Sequence, residues 1–323
     1  MNPSPAATPL PGPVAVLANP RAGVGRWHGL LPAVLDRLAA GGHDIQVLSA
    51  VTRAQAEVAC RAAVADGVAA LVVVGGDGTV HLALQAVAGT RVPLGVVPTG
   101  TGNDFVRETI GPAAPLAAVD AIAAALAAGS IRVFDLARMT RADGASRWFG
   151  AVLAAGFDAV VNERANHMRW PRGPRRYDLA ILRELARLRP RRYTLHLDGV
   201  PQEAESVLVA VGNTASYGGG MRICPAADPT DGLLDLVVAG RLNRTTLVRI
   251  KPRIYRGTHV RHPLVNTYRA REIRLAVDGA GDRGITGYAD GERTYPLPVT
   301  VTCVPDALRL LALPGAGTDP RDR

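Results

Sequence analysis

Three short segments carry the residue types that hold phosphate. The first, Val72-Val73-Val74-Gly75-Gly76-Asp77-Gly78-Thr79, is an apolar strand running into a glycine turn that opens a helix. Glycines let the backbone approach a phosphate closely, and a helix N-terminus adds free N–H groups and a favourable dipole. Asp77 stands where a carboxylate can hold magnesium on those phosphates, and Thr79 can cap the helix or contact phosphate. A plain strand-to-helix turn with Asp77 as the cap is the alternative, and local chemistry does not separate the two. The second segment, Pro98-Thr99-Gly100-Thr101-Gly102-Asn103-Asp104-Phe105, follows the next strand. Its threonines offer hydroxyls, and Asn103 with Asp104 can cap a helix or meet a nucleotide. The third, Asn19-Pro20-Arg21-Ala22-Gly23-Val24-Gly25-Arg26, adds a glycine loop in which Arg21 or Arg26 supplies charge. Two later Asp-Gly pairs, in Asp231-Gly232-Leu233 and Asp290-Gly291-Glu292, read locally as turns beside strands.

The elements that must position these loops follow from the hydrophobic pattern. From Val14, short apolar runs alternate with helical periods: Val14 to Ala18, Leu30 to Leu38, Ile45 to Leu48, Arg53 to Ala65, Ala69 to Val74, Thr79 to Val87 and Leu94 to Val97. Unbroken apolar strands between helices predict a doubly wound α/β domain whose parallel sheet is covered on both faces. Ligands bind such a sheet in the loops after the strands' carboxyl ends, where all three glycine segments lie. After about Gly129 the pattern changes. Strand-like runs at Ile131 to Met139, Trp148 to Ala154, Tyr193 to Leu197, Val207 to Val211, Leu233 to Val238, Ile273 to Val277 and Val299 to Cys303 predict a mostly antiparallel β domain. Two helical insertions interrupt it, Arg175 to Arg189 and Thr245 to Gly257.

Composition narrows the chemistry. The 323 residues include 37 Lys+Arg against 28 Asp+Glu, a net charge of +9, and the sequence pI is near 10.2, so anionic partners are favoured. Apolar residues make up 48% but aromatics only 4%, which predicts a core of Ala, Val and Leu. Lys251 is the only lysine, so the glycine loops lack a Walker A lysine and must hold phosphate through backbone N–H groups, magnesium and arginine. Cys60, Cys224 and Cys303 are far apart, which argues against a disulfide framework or a zinc site and suits a cytoplasmic protein. The Pro-rich segment 1–12 reads as a tail and not as a signal peptide. Ala113 to Ala128 is too short and too interrupted by Asp120 to span a bilayer.

The pair Gly75-Gly76-Asp77-Gly78-Thr79 and Pro98 to Phe105 resembles the diacylglycerol kinase catalytic domain of bacterial lipid kinases, sphingosine kinases and ceramide kinases. The first motif is also shared with NAD kinases. Tyr217-Gly218-Gly219-Gly220-Met221, Asp231-Gly232-Leu233-Leu234-Asp235 and Asp290-Gly291-Glu292 are similar to the family's later signatures, in order, so the resemblance covers about residues 13 to 313. It implies an α/β ATP-binding domain at 13–130 and 304–314, a β-sandwich lipid-substrate domain at 131–303, tails at 1–12 and 315–323, and an active site between the domains.

The resemblance further implies ATP contacts at Asn19, Pro20, Arg21, Ala22, Gly23, Thr52, Gly75, Gly76, Asp77, Gly78, Thr79 and Thr101, with Asn103 on the same rim and Asp77 acting on the nucleotide's Mg2+. Val80-His81-Leu82 replaces a run of Ile-Asn-Glu found in many relatives, and His81 reads as buried and not catalytic. Glu292 or Asp290 is implied as the general base that takes the acceptor's proton, and the sequence does not choose between them. A second, structural Mg2+ site is implied at the Asp231 carboxylate and the main-chain carbonyls of Asp228 and Leu233, against the reading of Asp231-Gly232 as a turn alone. The leading function is an ATP-dependent lipid kinase acting on diacylglycerol or a related lipid to give a phosphatidate-type product. A sphingoid base, a glycolipid or NAD as acceptor, and a non-catalytic nucleotide- or lipid-binding module, are the rivals. The arginine-rich run from Arg164 to Arg192 contains leucines 179, 182, 185 and 188, and is expected either to lie on an anionic inner membrane face or to be an ordinary solvated helix. With only Trp170 and Tyr177 nearby it does not suggest nucleic acid, and a homodimer is left open.

Overall fold

The computed structural model describes residues 10–18, 29–168, 174–278 and 285–313, without the side chains of 165, 166, 174–178 and 182. The chain divides into two compact units: Met1–Leu136 with Pro305–Arg323, and Ala137–Val304. Both crossings fall inside strands and not in loops.

The first unit alternates strands and helices: β1 (Val14–Ala18), α1 (Leu30–Ala39), β2 (Ile45–Leu48), α2 (Arg53–Ala65), β3 (Ala70–Gly75), α3 (Asp77–Val87), β4 (Leu94–Pro98), α4 (Asp104–Thr109) and α5 (Pro115–Ala128). The strands pair in parallel in the order β2, β1, β3, β4, and Leu94 of β4 pairs with Leu310 at the end of the chain's last strand. β3 and β4 are buried along their whole lengths, as continuous apolar runs require when both faces are covered. Helices α1 and α5 pack together, as do α2 and α3. Gly95 in β4 makes room for Ile122 of α5, whose Cδ1 and Cγ2 lie 3.2 Å from where a Cβ would stand. The core is built from Val, Leu, Ile and Ala, as the scarcity of aromatics requires.

The second unit is reached through β5 (Ile131–Thr140). It contains β6 (Ser146–Phe149), β7 (Val152–Ala154), α6 (Phe157–His167), α7 (Pro174–Ala186), β8 (Arg191–Leu197), β9 (Val200–Ser206), β10 (Leu208–Gly212), β11 (Leu234–Ala239), α8 (Arg244–Tyr255), β12 (Val265–Ala270), β13 (Glu272–Val277), β14 (Thr286–Ala289) and β15 (Glu292–Pro296). The final strand, β16 (Val299–Leu311), pairs with β13 through Val299–Thr302 and then leaves for the first unit. One antiparallel sheet runs β12, β11, β10, β7, β14, β15. In the other, β16, β13, β8 and β9 pair in that order, with β5 beside β16 and β6 beside β5. Inward residues of both sheets, among them Leu153, Val209, Leu236 and Tyr288 from one and Tyr193, Leu195, Ile273 and Val301 from the other, share one core. The expected fold class therefore holds in both halves.

Three differences from the sequence reading stand out. The helix α6 was not anticipated, because Phe157–His167 interleaves Asp158, Asn162, Glu163 and Arg164 with its apolar residues and shows no clean stripe. Strands β9 and β12 were also unread, since β9 is polar on most of its length and β12 alternates weakly. Finally, the run at Val299 to Cys303 does not end there but continues to Leu311 as a single strand.

Candidate functional site

In the first unit the two glycine segments meet at the carboxyl ends of β3 and β4. A Cβ on Gly76 would lie 2.9 Å from the Gly100 Cα, and one on Gly100 would lie 2.6 Å from the Gly76 Cα. The loops therefore touch backbone to backbone, which any side chain at either position would prevent. The Thr99 N–H donates to the Gly75 carbonyl at 2.9 Å and continues the strand pairing into the loops. Thr79 does not cap its helix. Its side chain covers Gly75, where a Cβ would stand 2.2 Å from Thr79 Oγ1. Asp77 is the first residue of α3, but its Oδ1 accepts from the Phe105 N–H at 3.4 Å, across to the opening turn of α4. Its Oδ2 lies over Gly102, 2.7 Å from the position of an added Cβ.

Asn103 occupies the N-cap position of α4 in the left-handed conformation, φ 52°, without capping it through its side chain. Instead Oδ1 accepts from the Gly100 N–H at 3.1 Å and Nδ2 donates to the Gly100 carbonyl at 2.9 Å, closing the second loop on itself. Arg107 braces this loop from α4, donating to the Gly102 carbonyl at 2.5 Å and pairing with the buried Asp104 at 3.3 Å. Thr101 is exposed, whereas Thr99 is buried with no hydrogen-bond partner for its hydroxyl among the described residues. Thr52 forms a capping box on α2 with Gln55, so its hydroxyl is engaged by a backbone amide. His81 is buried within α3. The loop from Asn19 through Pro20, Arg21, Ala22 and Gly23 lies outside the described residues.

In the second unit, Asp290 and Gly291 form the two-residue turn between β14 and β15, with φ of 52° and 78° and Ala289 opposite Glu292. Positive φ at both central residues marks the hairpin turn that matches strand twist. The Asp290 carboxylate accepts from two successive amides, Gly150 N–H at 3.1 Å and Ala151 N–H at 2.8 Å. Asn213, after β10, reaches the same segment by donating to the Gly150 carbonyl at 2.9 Å. Glu163 of α6 braces the hairpin from the helix side. It accepts from the Tyr288 hydroxyl at 2.5 Å and from Arg293 Nε at 3.0 Å. Burial pushes the Glu163 carboxyl up, but those two donors and the Arg293 charge outweigh it and hold it below the usual range.

The segment from Asp228 to Asp235 is also closed on itself. Asp228 Oδ1 accepts from the Thr230 N–H at 3.0 Å and its hydroxyl at 2.6 Å, and Asp231 Oδ1 accepts from the Leu233 N–H at 3.0 Å. Arg269, opposite Asp235 in the β11–β12 ladder, donates to Asp235 at 3.4 Å and to Asp231. Burial pushes the Asp235 carboxyl up to about 6 against the pull of Arg269. At the start of α6, Asp158 accepts from the Tyr217 hydroxyl of the Tyr217-Gly218-Gly219-Gly220-Met221 loop. Removal from water pushes Asp158 up to about 6, opposed by that hydroxyl, and pushes Tyr217 well above its ordinary value.

Comparison with known proteins gives this geometry a lineage. The family model for the diacylglycerol kinase catalytic domain matches residues 13–139, and that for the YegS C-terminal NAD kinase beta sandwich-like domain matches 151–312. A diacylglycerol kinase of Mycobacterium tuberculosis is 43% identical over 302 residues, 93% of this chain and 95% of the relative. A YegS-like lipid kinase of Xanthomonas axonopodis pv. citri is 32% identical over 78% of this chain and 81% of its own. The chain belongs to the diacylglycerol kinase family.

As a member it is a lipid kinase, an enzyme that phosphorylates an alcohol group. A crystal structure from Bacillus anthracis str. Sterne, 23% identical, superposes on the kinase with a TM-score of 0.77 over 97% of this chain and 99% of that one, a likeness of fold. The residues around Asp231 do not fit the structural magnesium implied by the resemblance. Both oxygens of Asp231, the one carboxylate in the implied ligand set, are engaged: Oδ1 accepts from the Leu233 N–H, and the Arg269 guanidinium pairs with Oδ2 and also reaches Asp235. Among the described residues no group of three or more His, Cys, Asp or Glu is placed to hold a metal. Sequence reasoning missed Arg269, Glu163 and Asn213. Each acts on a residue far along the chain, and only the register of the ladders brings them together.

Two predictions follow from these charges. Without nucleotide, magnesium or a chelator should leave the kinase's unfolding temperature unchanged, whereas Arg269→Met should lower it and make it respond to magnesium. A magnesium shift in the wild type that Asp231→Ala abolishes would contradict the assignment of Arg269 as the neutralising charge. The second concerns Asp158. Its folded-state pKa is raised, so between about pH 4 and 6 the unfolded chain releases a proton that the folded chain keeps, and stability falls as pH rises. The loss is at most about 3 kcal/mol. Asp158→Asn should remove that slope, so urea unfolding should show the variant gaining on the wild type from pH 4 to 6 and no further above it. Parallel stability curves would refute this.

Proposed function

We propose that the kinase transfers the γ-phosphoryl group of ATP to the free hydroxyl of diacylglycerol, giving a phosphatidate-type product. The observation that carries the reading is the backbone contact of two glycine loops at the carboxyl ends of adjacent parallel strands, in a chain 43% identical to a diacylglycerol kinase. Such a rim suits a polyphosphate: Gly76 and Gly100 themselves add no side chain, the N-terminus of α3 faces it, and the Thr99 hydroxyl, without a partner among the described residues, adds a polar group. Gly75, Gly76, Gly78, Thr79, Thr101 and Asn103 are assigned to nucleotide binding, as are Thr52 and residues 19–23 on the resemblance alone. Magnesium carried on the ATP phosphates would neutralise charge on the transferred group, and Asp77 is the rim carboxylate suited to it.

The hairpin of the second unit divides two roles between its carboxylates. Both oxygens of Asp290 accept from backbone amides, so Asp290 fixes the turn. Glu292, half-buried at the first position of β15, is assigned as the general base. It takes the proton of the acceptor hydroxyl as that oxygen bonds to the γ-phosphorus. The bond from phosphorus to the β–γ bridging oxygen breaks, ADP leaves, and Glu292 returns its proton to solvent. Glu163 acts as a positioning residue for this hairpin through Tyr288 and Arg293.

Incubation with γ-labelled ATP and separate acceptors should label diacylglycerol in preference to a sphingoid base, a glycolipid or NAD. Preferential labelling of another acceptor would move the assignment to that substrate, and no labelling of any would favour a binding module. Glu292→Gln should cut turnover by roughly 100-fold or more with an unchanged unfolding temperature. Asp290→Asn tolerates the same backbone conformation but replaces one acceptor oxygen with a donor, so it should cost about 1–3 kcal/mol of stability as well as activity. Near-normal turnover of Glu292→Gln would sink the base assignment.

A further inference from the structure

The most uneven charge distribution in the molecule belongs to no part of the proposed site. Between Asp235 and Glu272 the chain has no acidic residue and nine Lys+Arg: Arg241, Arg244, Arg249, Lys251, Arg253, Arg256, Arg261, Arg269 and Arg271. That excess equals the net charge of the whole protein, +9. Much of it lies on α8. Leu247 and Ile250, with the partly buried Ile254, hold one side of this helix against the core of the second unit. Asn243 caps its start by accepting from the Thr246 N–H at 2.8 Å. The helix is therefore fixed in rotation, and its outer side is set.

That outer side carries Arg244, Val248, Lys251 and Tyr255 in one stripe, three or four residues apart, and Arg249, Arg253 and Arg256 in the next, all exposed. Among the described residues Arg249, Lys251, Arg253 and Arg256 form no ion pair with an acidic side chain. Val248 and Tyr255 are 56% and 47% exposed in the midst of this charge. A basic surface that also leaves large apolar side chains in water matches an interface of anionic headgroups over acyl chains, where guanidinium groups meet phosphate and Val and Tyr enter the boundary. A single-stranded nucleic acid would need a row of stacking aromatics, and the outer side of α8 offers Tyr255 alone.

The run from Arg164 to Arg192 is the weaker candidate. Leu185 and Leu188 pack against the core, Ala180 is fully buried and Glu184 pairs with Arg164. The exposed Arg183 and Arg187 of that run thus stand beside leucines 185 and 188 that are already packed, and Arg169 and Arg172 lie outside the described residues.

We propose that the outer face of α8 docks the protein on an anionic phospholipid bilayer. The inference deepens the lipid-acceptor reading, but its test needs no catalysis. The full-length protein, without ATP, is sedimented with vesicles of phosphatidylcholine alone or of phosphatidylcholine mixed with phosphatidylglycerol. Wild type should partition onto the mixed vesicles and be released as salt shortens the Debye length below about 10 Å. Arg249→Glu with Arg253→Glu should cut partitioning at least about tenfold. Val248→Ser should weaken it less but at every salt concentration, while Arg183→Glu with Arg187→Glu should bind like the wild type. Unchanged unfolding temperatures and unchanged labelling of a water-soluble short-chain acceptor show that the variants are folded. If the α8 reversal instead misfolds, Lys251→Glu with Arg256→Glu supplies the same comparison. Partitioning of the α8 variants equal to wild type, or wild-type binding to duplex DNA that outcompetes mixed vesicles, would overturn the proposal. An absence of kinase activity with intact vesicle binding would count against the function proposed above and leave this surface standing.

Discussion

The structure of the first unit turns on two glycines that cannot be replaced by anything larger without moving the backbone. Gly76 and Gly100 lie just past the ends of adjacent parallel strands, and their α-carbons approach so closely that the loops behave as one rim. The approach depends on the ladder from Leu71 and Leu94 to Gly75 and Pro98, which sets both strands to end at the same level. Asp77 and Asn103 then hold the rim in shape, one by reaching across to the Phe105 amide and the other by closing its own loop. A carboxylate used in this way is already oriented before any nucleotide arrives, which lowers the ordering cost of binding.

The second unit follows a similar rule with a different device. There a carboxylate also fixes a turn, since Asp290 gathers the amides of Gly150 and Ala151 and so ties the β14–β15 hairpin to the start of β7. Glu163 grips the same hairpin through Tyr288 and Arg293. Glu292 is thus carried on a turn held from both sides. The cluster around Asp231 shows the same economy of charge: Arg269, supplied by the neighbouring strand, stands among carboxylates that would otherwise repel one another.

Much of this was legible in the sequence because its determinants are local. Continuous apolar runs announced buried parallel strands, Gly75-Gly76-Asp77 and Pro98 to Asn103 announced loops, and Asp290-Gly291 announced a hairpin. What remained hidden depends on register and distance. Asp77 binds an amide 28 positions away, Asp290 binds amides 139 and 140 away, and Glu163 meets Tyr288 125 away. Asn103 illustrates a subtler limit. Its type and position suit an N-cap, but a left-handed φ turns its side chain back to Gly100. The charge that meets Asp231 was hidden for a comparable reason, since only the pairing of Asp235 with Arg269 brings that guanidinium beside it.

The central claim is that the Gly76–Gly100 contact shapes a site for the nucleotide. Calorimetric titration of ATP into Gly100→Ala tests it most directly, with Gly29→Ala, whose added methyl meets nothing within 4 Å among the described residues, as the control. The account predicts that Gly100→Ala weakens ATP binding at least about tenfold, or roughly 1.4 kcal/mol, in a protein that still unfolds cooperatively, while Gly29→Ala binds like the wild type. ATP affinity unchanged by Gly100→Ala would contradict it.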